Sequence, residues 1–172
     1  HRQNPETGWE FEQSQFQMFY YMTLEIDGAS AEGVEYGTSY CADNVGSCDV
    51  VGVFINRGDG NGEICVGWQY ANPVTLTEAP VMGDDGADYT AGYMLSDEVP
   101  YLKVYDSSNG SILDLNPGSE LPTFGGYNNI YIISGTSTAC NGGDVIDDCG
   151  ICSGSFGGHE ANSDIDCNGD CF

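Results

Sequence analysis

The residues from Phe16 to Ile26 alternate strictly between two faces, and this alternation constrains the fold more than any other feature of the sequence. One face carries only large apolar side chains, namely Phe16, Met18, Tyr20, Met22, Leu24 and Ile26. A period of two residues over this length predicts a long β-strand that buries one face. Trp9 and Phe11 lie in the opposite phase, which predicts a bend or a bulge between Phe11 and Phe16.

Shorter strand-like runs follow, with clusters of Gly, Asn and Asp between them. They cover residues 49–55, 63–69, 73–76, 79–82, 89–94, 100–105, 111–115 and 127–134. The sequence lacks segments of helical period longer than two turns, and its 25 glycines would destabilise such helices. We therefore expect an all-β fold, an antiparallel β-sandwich of the immunoglobulin or jelly-roll kind.

Composition divides the chain into three parts. Residues 1–8 are polar and include a Pro and a Gly, so we expect a flexible N-terminal lead, followed by the sandwich domain at residues 9–137. Residues 138–172 hold five of the eight cysteines and few large apolar side chains. Such a segment cannot bury enough apolar surface to offset its loss of conformational entropy. We expect disulfides, metal ions or docking onto a partner to hold this tail in place.

The charge of the chain excludes several classes of partner. The chain has 27 acidic and 3 basic residues, a formal net charge of −24. Nucleic-acid binding is excluded because it needs clustered Lys and Arg, and the same shortage argues against an anionic membrane surface. No apolar run reaches the ~18 residues that a membrane span needs, so we expect no membrane insertion. The sequence opens at His1 without a leader, as expected of an exported chain whose signal has been removed.

The cysteines predict an oxidising compartment. They are Cys41, Cys48, Cys65, Cys140, Cys149, Cys152, Cys167 and Cys171. An even number in an acidic chain is typical of a secreted protein, extracellular or on the cell surface. Full pairing requires a bond between the three cysteines before residue 66 and the five from residue 140 onward. We expect Cys41–Cys48 and a crossing Cys65–Cys140 bond, with the other four paired inside the tail.

Zinc binding is the alternative interpretation of the tail cysteines. Cys149 and Cys152 form a CxxC pair, and Cys167 with Cys171 could complete a zinc site. Acidic residues surround all of these cysteines, and no βαβ pattern supports a redox-active CxxC. We therefore favour disulfides.

Two acidic clusters are candidate calcium sites. Asp164, Asp166, Asn168 and Asp170 match the first half of a calcium loop, although the Glu of its twelfth position does not occur. Further ligands would come from Asp144, Asp147 and Asp148 or from a neighbouring chain. The second cluster is Asp84, Asp85 and Asp88, whose carboxylates repel one another unless solvent separates them or a cation bridges them. A solvated acidic tail and a water-exposed turn are the respective alternatives.

Modification is predicted at one position, and catalysis is not predicted. Asn109-Gly110-Ser111 is an N-glycosylation sequon in a turn, where a secreted chain can carry a glycan. Only His1 and His159 could act as imidazole bases, and no hydrolase, metalloprotease or nucleotide-binding motif occurs. We expect a protein without enzymatic activity.

Several segments resemble a known module. The segments are GWEFEQSQFQMFYYMTLEIDG, VGVFI, GEICVGW, PVMGDDGADYTAGYM and VPYLKVYD. Together they resemble a β-rich module that recurs in large secreted proteins of environmental bacteria. The tail, DVIDDCGICSG with DIDCNGDC, is similar to the Cys-Asp repeats that often follow that module and to thrombospondin type-3 calcium repeats. The resemblance implies calcium ligation by Asp164, Asp166, Asn168 and Asp170, and it implies no particular activity.

These observations lead to two functional hypotheses. The first is a structural subunit of an extracellular fibre or surface appendage that assembles head to tail with further copies of itself. The long N-terminal strand would complete a neighbour's sheet, and calcium would neutralise the acidic clusters. The second is a secreted adhesive or carbohydrate-binding module. In that case exposed aromatic side chains, for example Trp68, Tyr70, Tyr93 or Tyr127, would stack on a glycan.

Overall fold

A computed structural model of the protein describes residues 1–35, 38–58, 60, 62–154, 158–165 and 170–171. These residues form the all-β fold that the sequence predicts. The strands are β1 (Arg2–Gln3), β2 (Glu10–Phe11), β3 (Gln17–Ile26), β4 (Ala29–Ser30), β5 (Val50–Asn56), β6 (Glu63–Tyr70), β7 (Thr77–Met82), β8 (Tyr101–Asp106), β9 (Ser111–Leu115), β10 (Tyr127–Ala139), β11 (Val145–Ile146) and β12 (Cys152–Ser153). A six-residue helix, α1 (Thr38–Asp43), and a 3-10 turn at Asp88–Thr90 interrupt them.

Two larger sheets enclose the core. In the first sheet, β3 lies in the centre, with β7 and the short β4 antiparallel to it and β10 parallel to it. The second sheet is antiparallel throughout, in the order β6-β5-β8-β9. The parallel pair of β3 and β10 departs from the purely antiparallel sandwich that we expect. A parallel pair needs a long crossover connection, and the whole second sheet lies in the chain between these two strands.

The core lies between the two sheets and confirms the predicted alternation. Met18, Tyr20 and Met22 on β3 are completely buried, and Val53 and Val104 of the second sheet are completely buried in the same core. The residues between them on β3 point outward and are partly or fully exposed. The strand that ends at Phe11 and the one that begins at Gln17 are separate, as the change of phase predicts.

The edges of the two sheets approach each other. A Cβ atom on Gly67 would lie 1.8 Å from the carbonyl oxygen of Pro80, so only glycine lets β6 come this close to β7. On the other side, Asn116 and Thr138 exchange two backbone hydrogen bonds of 2.9 Å, which join the end of β9 to β10.

Three predicted segments have a different structure. Residues 73–76 form a turn because Asn72 Oδ1 accepts hydrogen bonds from the backbone of Val74 and Thr75. Residues 89–94 do not form a strand, since Asp85 Oδ1 accepts the Thr90 hydroxyl and stabilises the 3-10 turn. Such local side-chain bonds compete with strand pairing. Residues 1–8, for which we predict a flexible lead, pair with β2 through Arg2–Gln3, and Asn4 is fully buried.

The disulfides confirm part of the predicted pairing. Cys41–Cys48 forms as expected. The predicted Cys65–Cys140 bond is wrong, because the hairpin of β11 and β12 brings Cys152 back to Cys140. Cys65 is a free thiol.

The remaining described tail bond is Cys149–Cys171. The two cysteines of the CxxC pair therefore belong to different disulfides, which rules out the zinc and dithiol interpretations of that pair in this structure. The predicted disulfide cysteine Cys167 lies outside the described residues. The prediction that sulfur links hold the tail is thus confirmed for four tail cysteines.

Candidate assembly surface

The longest uncharged stretch of the chain coincides with β10. Residues 121–143 contain no Asp, Glu, Lys, Arg or His, whereas the whole chain has 27 acidic residues in 172. The stretch is bounded by Glu120 and Asp144. A gap of this length in so acidic a chain leaves one part of the surface without charge.

The outward side of β10 is apolar and exposed. Tyr127, Ile130 and Ile132 are 74 %, 57 % and 68 % exposed, while Ile133 on the other side is buried. In the parallel register, Ile130 lies beside Phe19 and Ile132 beside Tyr21 on the outward side of β3. We call this set of five residues (Phe19, Tyr21, Tyr127, Ile130 and Ile132) the β10 face. Contiguous exposed apolar surface of this kind is typical of an interaction site.

The loop of residues 117–126 lies against the edge of β10 at Ser134 and Gly135 and leaves the outward face of the strand open. A Cβ atom on Gly118 would lie 2.5 Å from the backbone of Gly135, so this loop lies directly against the strand. Ser119 Oγ accepts the backbone N–H of Ser134 at 3.1 Å, and the Tyr20 hydroxyl donates to the Pro122 carbonyl. Addition of a further strand is therefore disfavoured at Ser134 and Gly135, whereas the outward face of β10 at Ile130 and Ile132 is open to a partner.

A second apolar surface lies beside β9. A groove of about 930 Å³ runs between this strand and the start of the tail. Its apolar lining includes Leu102, Ile112, Leu115, Pro117, Val145 and Ile146, and its carboxylates are Asp114 and Asp144. We call it the β9 groove. It shares no residue with the β10 face.

The predicted calcium ligand Asp147 organises the tail through hydrogen bonds. Its side chain is 1 % exposed. Its oxygens accept the backbone N–H groups of Cys149, Ile151 and Asn162 and the hydroxyl of Ser153, at 2.8–3.0 Å. These hydrogen bonds, led by the Asn162 N–H, lower the pKa of Asp147 to about 2. All four lone-pair positions of the carboxylate thus have a hydrogen-bond donor within the tail, and calcium ligation by Asp147 stays a prediction.

The other predicted ligands of the tail are dispersed. Asp148 and Asn162 form a reciprocal pair, with backbone N–H to Oδ1 and side-chain Nδ2 to Oδ2 distances of 3.0 Å. Asp164 lies 3.4 Å from the His159 ring, and Asp144 lies at the β9 groove. Asp170 is described together with Cys171, whereas the predicted ligands Asp166 and Asn168 lie outside the described residues.

The turn that contains Asp84, Asp85 and Asp88 is held by its own hydrogen bonds. Asp85 Oδ2 accepts the Gln15 N–H at 2.9 Å, and this bond contributes most to a lowered pKa of Asp85. Asp84 Oδ1 accepts the Gly86 N–H, and Asp88 begins the 3-10 turn. Among the described residues, no three His, Cys, Asp or Glu side chains are arranged to hold a metal ion. Calcium binding stays a prediction.

Each of the three basic side chains has an intramolecular partner. The guanidinium of Arg2 lies 4.2 Å from the centre of the Trp68 ring. Arg57 forms a bidentate pair with Glu98 and thereby lowers the pKa of that carboxyl. Lys103 Nζ lies 2.6 Å from Glu63. The molecular surface therefore has an almost uniformly acidic character outside its uncharged regions.

The aromatic side chains do not form the platform that we predict for glycan binding. Trp68, Tyr70 and Tyr93 are buried, and of the four candidates only Tyr127 is exposed. Trp68 and Tyr70 pack edge to face at 5.5 Å inside the domain. Three of the four predicted sugar-stacking residues thus belong to the core.

The predicted glycosylation site Asn109 is part of a polar network. Its amide nitrogen donates to Asp106 Oδ2 and to Asn141 Oδ1, both at 3.0 Å. An N-linked glycan replaces one of the two amide hydrogens, so it would break one of these bonds. Glycosylation stays a prediction, and a glycan at Asn109 would cost one of these two hydrogen bonds.

Comparison with protein-family models, with curated proteins and with solved structures found no match. The resemblance to the bacterial module therefore stays a prediction. No helix in the described ranges is long and apolar enough to cross a membrane. The β10 face does not follow from the alternation of single strands, although the uncharged stretch at residues 121–143 is visible in the sequence.

Proposed function

We propose that this protein is a non-enzymatic structural subunit of an extracellular fibre or surface appendage, and that its copies associate through the β10 face. One observation carries the proposal. In a chain of net charge −24, an exposed surface of isoleucine and tyrosine lies inside the longest stretch without any charged residue.

Electrostatics makes a second copy of the chain the fitting partner for this surface. Two copies at −24 repel wherever their carboxylates approach within the screening length of about 8 Å at physiological salt. The side chains of the β10 face are themselves uncharged, so two copies can meet there with Glu78, the hydrogen-bond partner of Tyr21, at the margin of the contact. A cationic partner would instead bind the acidic surface, because the β10 face has no charged side chain to attract it.

The structure changes how such an assembly would form. The predicted donor strand β3 is bonded on both sides inside its own subunit, to β7 and to β10. Residues 17–26 therefore cannot complete a neighbour's sheet without dismantling their own. The proposed contact is a docking of surfaces, and the disulfides support an oxidising, extracellular setting for it.

Calcium belongs to the proposal as a cofactor of the contacts between acidic subunits. The support for it is the charge of −24 with all three basic residues engaged inside the subunit. The described carboxylates do not form a closed site for it. We therefore assign calcium no ligand set, and a chelator tests its contribution.

The experiment compares two variants with the wild type. The face variant carries Ile130→Glu and Ile132→Glu; the control variant carries Val45→Glu and Val74→Glu, which add the same charge at valines that are 60 % and 63 % exposed. Analytical ultracentrifugation and electron microscopy, with calcium and with EDTA, follow association. We expect concentration-dependent oligomers or filaments for the wild type and the control variant, and monomers for the face variant. A wild type that stays monomeric up to millimolar concentration in both buffers would refute the proposal.

A further inference from the structure

We infer that the β10 face of one copy docks into the β9 groove of the next copy, so that the contact joins two different surfaces. The inference rests on the proposed function and specifies its receiving site. It assigns a binding role to a groove that neither the sequence pattern nor the fold explains.

The β9 groove has unpartnered walls. In the described part of the chain, β9 pairs along one side with β8, and the only bridge beyond β9 joins Asn116 to Thr138. Val99, Ile112 and Val145 expose about half or more of their side chains there. An apolar groove that remains open at a sheet edge is stabilised when another apolar surface fills it.

The charges select a second copy as the occupant. The groove contains no basic residue, and its two carboxylates are Asp114 and Asp144. Most of the surface of another copy is acidic and would be repelled by these two groups. The five side chains of the β10 face carry no charge and are apolar like the lining of the groove, and the carboxylate of Glu78 lies at the margin of the face, where it pairs with Tyr21.

The shapes of the two surfaces agree with this assignment. Ile130 and Ile132 project from alternate positions of one strand, about 7 Å apart, and so form a short ridge. The groove follows β9 over four residues, Ile112–Leu115, about 14 Å, which is long enough to receive that ridge. A contact of one β10 face with another would bring two ridges together and leave both grooves open.

The consequence is an open assembly. A docked pair keeps one free β10 face at one end and one free β9 groove at the other, so addition continues until the path closes on itself. An association of identical faces would stop at a dimer. The arrangement thus supplies the head-to-tail geometry that the proposed fibre requires.

The test combines the face variant with a groove variant that carries Ile112→Glu and Val145→Glu, both at exposed positions. Circular dichroism and thermal unfolding first confirm that the variants are folded. We expect each variant alone to be monomeric and a 1:1 mixture to form a dimer that grows no further, because one intact face meets one intact groove. The control variant alone should assemble like the wild type.

The other outcomes separate the two proposals. If the groove variant still dimerises alone, the contact joins two β10 faces; the groove assignment is then wrong while the assembly surface stands. If the face variant still assembles, or the wild type is monomeric, both proposals fail. As a second readout, copies with Ile132→Cys should form disulfide-linked dimers with copies with Ile112→Cys, and a mixture that gives no more of these than either copy alone would overturn the assignment.

Discussion

The anchoring of the tail to the domain depends on Asn141, and its removal should destabilise the protein measurably. The side-chain nitrogen of Asn141 donates to Asp106 Oδ2 at 2.8 Å and to Asp27 Oδ2 at 3.0 Å. Asn141 and Asp106 are 5 % and 4 % exposed, so water replaces these bonds incompletely. A hydrogen bond to a charged group contributes about 1.5–3 kcal/mol, which gives about 3–6 kcal/mol for the two.

The expected loss for Asn141→Ala is smaller than this sum, at about 2–4 kcal/mol. A polar cavity of about 410 Å³ adjoins both carboxylates and admits water once the amide is gone. The backbone N–H of Asn141 also keeps its 2.9 Å bond to Asp27. For a chain of this size, the loss corresponds to a Tm lower by about 5–15 °C, measured by calorimetry and by urea unfolding.

A second substitution, Asn141→Asp, separates hydrogen bonding from packing. It retains the size of the side chain but places a third carboxylate beside Asp27 and Asp106. We expect a larger loss than for Asn141→Ala at pH 7. The loss should shrink as the pH falls, because the neighbouring charges raise the pKa of the new carboxyl and it protonates. A cost below about 0.5 kcal/mol for Asn141→Ala, or equal stability of the two variants at pH 7, would refute the reasoning.

The pKa of Asp106 provides an independent check on the same network. Burial raises this pKa, but hydrogen bonds from Ser108, Asn141 and Asn109 outweigh burial and hold it below its ordinary value. Its ionised form therefore stabilises the fold above the ordinary pKa of an Asp, about 3.9, and this contribution is lost as the pH falls through the lowered value. In Asn141→Ala, NMR titration should show the pKa of Asp106 rising.

Three further predictions concern single residues. Because the pKa of Asp147 is about 2, the stability that its ionised form gives the tail should be complete above pH 3.8 and lost as the pH falls through about 2. Asp147→Asn should make the tail sensitive to limited proteolysis at neutral pH. Burial raises the pKa of the Cys65 thiol to about 12, so iodoacetamide at pH 8 should modify Cys65 in urea but leave it unmodified in the folded protein. Gly67→Ala would put a methyl group onto the Pro80 carbonyl and should cost about 1–3 kcal/mol in urea unfolding.

The parts of the fold that follow from local pattern were predictable from the sequence. The alternation from Phe16 to Ile26 gives β3 and its buried face, because one side of a half-buried strand must be apolar. The parallel pairing with β10 is a long-range choice that no local pattern encodes. The pattern at residues 89–94 is typical of a strand, but the side chain of Asp85 accepts a hydrogen bond from the Thr90 hydroxyl and stabilises a turn there.

The candidate site was less predictable because it is defined by a lack of charged residues in one part of the chain. The uncharged residues 121–143 are visible in the sequence, yet only the register with β3 shows that Ile130 and Ile132 join Phe19 and Tyr21 on one face. The crossing disulfide failed for a similar reason. The parity argument assumes that every cysteine is paired, and Cys65 is a partly buried free thiol instead.

The Cys140–Cys152 bond links the proposed assembly to the redox state of the protein. Residues 143–146 form one wall of the β9 groove, and this bond closes the loop that contains them. A disulfide that closes a loop of this length restricts the unfolded chain, so its reduction lowers the free energy of unfolding by about 3 kcal/mol. If copies join through the proposed contact of the β10 face with the β9 groove, reduction of this bond would loosen one wall of the groove and weaken the contact. We therefore expect the oxidised protein to assemble more strongly than the reduced protein.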